Sequence, residues 1–223
     1  MIRLALAFLF LGLPTLAQTV PTPDEIARLP ALHRAAFANQ AGRIPALVAG
    51  TSSVNDRAHL ARTPAHYAAF GSADEALKVL ATAGADLNLL DAELYDVITI
   101  AAVVNDPELV TLAIQLGNRA DLITSIYDGT ALIAAAHLGH AEVVRRLIAG
   151  GAPLDHVNNL GWTALIEAVV LGDGGPDHQA TAQALLEAGA DASIGDRQGI
   201  TPLEHARMRG YAEMTALIAR YGG

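Results

Sequence analysis

The chain of 223 residues contains no cysteine. That removes disulfide staples, thiolate metal sites, a cysteine nucleophile and a lipid-bearing N-terminal cysteine. Positive charge is scarce: 14 Lys and Arg stand against 23 Asp and Glu, a formal net charge of -9. Such a chain repels phosphate backbones, which argues against a DNA or RNA partner. Aromatic residues make up only 4%, so an interior must be assembled from Ala, Leu, Val and Ile. That composition suits slender helices packed at short distance. Nowhere is there an apolar run of about 20 residues, the length a membrane-spanning helix needs.

The opening Met1-Ile2-Arg3 is followed by an uncharged stretch from Leu4 to Leu13 and then Pro14-Thr15-Leu16-Ala17. One positive charge, a short apolar run and small residues at Thr15 and Ala17 match a secretory leader cleaved after Ala17. The run is half the length of a membrane span. The expected mature chain begins at Gln18 and is soluble and untethered. Export without disulfides points to a bacterial periplasm, with extracellular release as the alternative. Residues 18–29 read as a linker with a short helical turn over the start of the next unit.

From residue 30 onward one unit recurs six times. Ala35, Ala68, Ala101, Ala135, Ala168 and Ala206 align at separations of 33, 33, 34, 33 and 38. Ahead of them stand Thr63-Pro64-Ala65-His66, Thr130-Ala131-Leu132, Thr163-Ala164-Leu165 and Thr201-Pro202-Leu203. Gly84, Gly117, Gly151, Gly189 and Gly222 close five units, and Gly139-His140-Ala141-Glu142 sits inside the fourth. These columns resemble the ankyrin repeat, whose period and Thr-Pro-Leu-His signature they follow. The resemblance covers residues 30–223 and implies an all-α solenoid. Its six stacked helix-turn-helix units, starting near 30, 63, 96, 130, 163 and 201, would be joined by hairpin-like fingers.

Elementary physics agrees with that reading. Each Thr can cap a helix by accepting from a free N–H of the first turn, with Asp96 in that role in the third unit. Pro64 and Pro202 fall at the first helical position, where a missing N–H is harmless. Turns are expected at Asn39, Ser72, Asn105, Gly139, Gly172 and Gly210, residues suited to left-handed backbone. Second helices show apolar residues three or four apart, such as Val143, Val144, Leu147 and Ile148. The first unit departs from the pattern: Pro30 replaces the capping Thr, and Pro45 is tolerable only near a helix start. One extra residue precedes Thr130, and five are inserted within 172–178.

Catalytic chemistry is hard to find. His137 and His140 are spaced as a metal pair could be, yet Gly139 interrupts the helix between them and Gly-His belongs to the repeat. In ankyrin proteins the signature His, here His33 and His66, bonds backbone at the base of the stack. Asp173, Asp177 and His178 are too few for a convincing cation site. No nucleophile elbow and no phosphate loop is present. The expectation is therefore no enzyme, no cofactor and no metal.

The resemblance implies a partner docked on the concave side, built from finger ends and first helices. The finger ends carry Arg62, Tyr95, Tyr127, Trp162 and Ile200. The outward helix positions carry Arg34, Tyr67, Ile100, Ala134, Glu167 and His205. Tyr, Trp and Arg anchor interfaces, so Arg62, Tyr67, Tyr95, Tyr127, Trp162 and Ile200 form the candidate partner-binding set. A finger aromatic can equally lie on its neighbour and hold the stack in register. The functional expectation is an exported, non-catalytic, monomeric scaffold for a protein partner, with no nucleic acid and no membrane contact after leader removal. A secreted effector acting on another cell's proteins is the alternative, with a metal- or small-molecule-binding protein behind it.

Overall fold

The computed structural model describes residues 20–50 and 53–222. The leader at 1–17 and the first two linker residues lie outside that range. Among the described residues there are thirteen α-helices and no strand, only an isolated antiparallel bridge between Thr124 and Gly129. A short helix, α1 (Pro23–Arg28), precedes six helix pairs: α2 (Ala31–Phe37) with α3 (Ile44–Ala49), α4 (Pro64–Phe70) with α5 (Asp74–Thr82), α6 (Val97–Val103) with α7 (Pro107–Gln115), α8 (Ala131–His137) with α9 (Ala141–Ala149), α10 (Ala164–Val170) with α11 (Pro176–Glu187), and α12 (Pro202–Met208) with α13 (Ala212–Ala219). First helices stack on first helices from α2 to α12, and second helices on second helices from α3 to α13.

The reason lies in the first helices. Each is seven residues long, well below the length at which a helix is stable alone. All six column alanines are buried, and a methyl side chain lets adjacent helix backbones approach closely. Leu77, Leu80, Leu109, Val110, Val143, Val144 and Leu147 fill the space between the two layers. Thr130, Thr163 and Thr201 each accept from the backbone N–H three residues on, as does Asp96 from Thr99. Pro45 falls in the first turn of α3, where it removes no helical bond.

The two ends of the stack are built differently from its middle. In the middle units His66, Thr99, Ile133 and Ile166 are buried against the next unit, as are Ala69, Ala102, Ala136 and Val169. In the last unit these positions hold Glu204 and Arg207, both exposed. A charged residue at each stacking position ends the array with a wettable face, as a repeat protein requires. At the opposite end Pro30 stands at the cap of α2 without a side-chain bond. It also has no N–H to give, and His33 Nδ1 is buried with no partner. In the second unit the equivalent His66 Nδ1 accepts from Thr63 N at 3.1 Å and contacts Thr63 Oγ1 at 2.7 Å.

The turns between paired helices follow expectation at Asn39, Ser72, Asn105, Gly139 and Gly210, all with positive φ. Gly172 is a correction: the left-handed residue of that turn is Gly174. Gly172 is needed for closeness instead, because a Cβ there would meet the Ala168 carbonyl and the His178 ring. Part of the insertion is helical, since α11 begins at Pro176 and runs for 12 residues.

Two outcomes follow. Pro30→Thr restores both a capping hydroxyl and a donor for His33, and should stabilise the first unit by about 1 kcal/mol, read as a higher urea midpoint. The second concerns His66, whose pKa burial lowers to about 4, and His33, lowered by the same cause. Because the fold favours the neutral rings, their contribution is complete above the ordinary value near 6.5 and declines as pH falls toward 4. The urea midpoint should therefore drop between pH 7 and pH 5, and drop less in His66→Gln. An unchanged midpoint over that range would refute this account.

Candidate binding surface

Between units the chain makes five small hairpins. Each closes with one backbone bond: Ala58 N to Arg62 O at 2.9 Å, Asp91 N to Tyr95 O at 2.9 Å, Thr124 N to Gly129 O at 2.8 Å, Asn158 N to Trp162 O at 3.0 Å, and Asp196 N to Ile200 O at 3.0 Å. Side-chain oxygens of Asp91, Asn158 and Asp196 brace the turn from within by accepting from N–H groups two and four residues on. The fingers also bond to each other, through Ala92 N to Leu60 O at 2.8 Å, Ser125 N to Leu94 O at 2.8 Å and Asn159 N to Tyr127 O at 2.9 Å. The first four fingers thus form one backbone-linked strip.

The position before each closing residue requires positive φ. Gly161 and Gly199 supply it without cost, whereas Ala61, Leu94 and Asp128 adopt φ of 54°, 62° and 52°. A branched side chain such as Leu94 is strained there, by about 1–2 kcal/mol. Yet Leu94 is 41% exposed, so the strain is not repaid by burial. Strained residues of this kind concentrate at functional sites.

The candidate set divides in two. Arg62 is buried and cannot reach a partner: its Nε is 3.0 Å from Asp91 Oδ2, its Nη2 is 2.5 Å from Glu93 Oε2, and its guanidinium lies 4.4 Å from the Phe70 ring centroid. Tyr67 is buried as well, with its ring edge-on to His33 at 5.7 Å and its hydroxyl 3.4 Å from the His59 carbonyl. The N-terminal segment reinforces this end. Glu25 of α1 lies 3.1 Å from His59, and Arg34 donates to the carbonyls of Ala27 and Leu29. Tyr95, Tyr127, Trp162 and Ile200 remain half-buried on the fingers. Tyr127 does not share their register: Gly129 occupies the closing position, because the extra residue before Thr130 lengthens that fingertip.

The outward helix positions need the same correction. Ile100, Glu167 and His205 are buried, because the fingers fold over that row. Glu167 accepts from Asn158 Nδ2 at 2.8 Å and faces His137 Nδ1 at 3.4 Å, and His205 Nε2 is 2.8 Å from Asp196 Oδ2. From α4 to α12 the apolar surface left open lies toward the C-terminal ends of the first helices and at their caps, at Phe70, Val103, Leu138, Leu171 and Met208, with His137 beside it. On the fingers the sequence reading overlooked Ile123, Ile126 and Val157, each about half exposed. Aliphatic residues carry no signal when core and surface draw on the same residue types. Their register relative to Asp91, Thr124 and Asn158 was the available clue.

Of the histidines weighed for metal binding, His137 faces the Glu167 carboxylate, while His140 and His178 are engaged with backbone. His140 Nδ1 bonds the Ala102 carbonyl at 2.9 Å, and His178 Nε2 bonds the His137 carbonyl at 3.0 Å while Nδ1 faces Asp173. Tyr211 extends this seam by donating to the Gly172 carbonyl at 3.1 Å. Among the described residues no group of three or more His, Asp or Glu is placed to hold a metal ion, and no helix is long and apolar enough to cross a membrane.

Residues 98–196 match the family model described as ankyrin repeats (3 copies). The putative ankyrin repeat protein YahD of Escherichia coli K12 is 38% identical over 148 residues, covering 66% of this chain and 73% of that protein. A solved ankyrin repeat domain from Acinetobacter baumannii AYE superposes with a TM-score of 0.78 at 38% identity, covering 86% of this chain and 97% of that one. The ankyrin repeat protein EF0377 gives a TM-score of 0.79 at 32% identity, with coverage of 86% and 98%. Such proteins are in general non-catalytic scaffolds for protein–protein interaction. Stacked seven-residue helices, linked fingers and these likenesses together place the chain in the ankyrin repeat family.

Proposed function

We propose that this protein is a non-catalytic scaffold, exported to the periplasm, that docks a partner protein on the concave face formed by its fingers and first helices. The observation that carries the reading is the aliphatic and aromatic surface left open on the third, fourth and fifth units. Ile123, Ile126 and Val157 stand on the fingers beside the half-buried Tyr95, Tyr127 and Trp162, with Leu138 and Leu171 exposed at the C-caps of α8 and α10. Exposed apolar groups clustered in this way mark interaction sites. The buried Arg62 and Tyr67 leave the proposed footprint, and the strained Leu94 joins it. The exported location rests on Arg3, the Leu4–Leu13 run and Ala17 alone.

Tagged protein produced in a bacterial host should be recovered from the periplasmic fraction with Gln18 as its first residue, read by mass spectrometry. A cytoplasmic pool beginning at Met1 would remove the export reading. Wild-type protein should capture the same one or few proteins repeatedly from periplasmic extract. Tyr95→Ala combined with Trp162→Ala should abolish capture while the helical circular dichroism signal is retained. Leu94→Gly should separate the two properties, raising stability by about 1 kcal/mol through relief of backbone strain while weakening capture. Full capture by the double variant would show that the footprint lies elsewhere.

A further inference from the structure

The chemistry of the surface narrows what can dock there, an inference that rests on the concave-face reading above. The central fingers, residues 84–96, 117–130 and 151–163, contain seven Asp and Glu and one cation of their own, Arg119; Asp91 and Glu93 are held by Arg62, and Asp96 is buried. Arg119 is already engaged, with Nε 2.9 Å from Asp121 Oδ1. Asp121, Asp128 and Asp155 are exposed, and they stand within a few residues of the exposed Ile123, Ile126 and Val157. Basic side chains from the flanking fingers reach the two edges of this zone: Arg57 donates to the Leu90 carbonyl at 2.8 Å, Arg62 holds Asp91 and Glu93, and Arg197 donates to the Asn159 carbonyl. On the third and fourth fingers the exposed carboxylates of Asp128 and Asp155, which take no part in these ion pairs, thus share the surface with exposed aliphatic groups.

We propose that the partner presents a polypeptide segment that mixes apolar and basic side chains, with Lys or Arg set over the central fingers. A purely apolar segment would strip water from these carboxylates and return nothing for it. An acidic segment would be repelled at the same place. A basic and apolar segment buries its aliphatic groups against Ile123, Ile126 and Val157 and places its cations beside the rim carboxylates. Part of its association should be electrostatically steered, and so sensitive to salt.

The three rim carboxylates can be neutralised without disturbing the fold. Asp128 sits at a φ of 52°, a conformation Asn tolerates at least as well as Asp. Asp155 Oδ1 accepts from Asp191 N at 2.9 Å, and an Asn oxygen can accept the same bond. At position 121 an Asn oxygen can still face Arg119.

The probe is a displayed library of random twelve-residue peptides selected on the full chain, with the enriched peptides then synthesised. Enriched sequences should combine Lys or Arg with Leu, Ile, Phe or Trp. Their Kd should rise about tenfold in the Asp121→Asn, Asp128→Asn, Asp155→Asn variant and also with added salt. Enriched peptides without Lys or Arg, or peptides bound equally well by the variant, would overturn the inference, as would a selection that enriches nothing. Uncharged peptides whose binding is still lost in Trp162→Ala would overturn the charge assignment alone and leave the concave-face reading in place.

Discussion

Everything in this molecule depends on the contact between one seven-residue helix and the next. A helix of that length gains too few backbone bonds to offset the ordering of its ends, and it has no apolar face large enough to fold back on itself. Stability therefore arises between units, where the column alanines bring helix backbones together and Leu and Val side chains of the second helices seal the gap. A stack held this way has two ends that cannot be satisfied by stacking. Glu204 and Arg207 resolve one end by making the terminal face polar. At the other end Arg34 ties the first unit to the segment around α1, while inside that unit Pro30 leaves the buried His33 Nδ1 without a donor.

The fingers are a second, weaker level of order laid along the first. One bond closes each hairpin, and single bonds tie neighbouring fingertips, so their geometry is inherited from the spacing of the helices beneath. Once the fingers are fixed, they fold over the residue that follows each signature position. That is why Tyr67, Ile100, Glu167 and His205 are buried and why the open floor begins three or four residues later. The same folding turns Arg62 inward, where Asp91, Glu93 and Phe70 hold it. Scaffold and surface are thus one construction: the stack sets the fingers, and the fingers decide which side chains remain available.

Much of this was legible in the residues. The period of the Ala column, the capping Thr residues and the closing glycines each encode a local demand, whether close approach, a free N–H or a left-handed turn. Local demands of that kind can be read without coordinates. Gly172 shows where local demands stop deciding, because three Gly residues near the insertion suit the turn, and only the folded chain gives the left-handed position to Gly174 and the close approach to Gly172. Tyr127 shows it again. One added residue shifts a fingertip, and nothing in composition says on which side of the aromatic ring the extra residue falls.

The sequence by itself determined the unit, its period and the residue types that start, bend and stop each helix, because those are short-range constraints within one unit. It also excluded thiol chemistry, since the chain contains no cysteine. Only the tertiary structure decided which members of each column face solvent. Burial of Arg62 and Tyr67 and exposure of Ile123, Ile126 and Val157 come from groups about thirty residues away in the chain and adjacent in space. A side chain's accessibility is a property of its neighbours, and in a stacked solenoid those neighbours belong to the next unit.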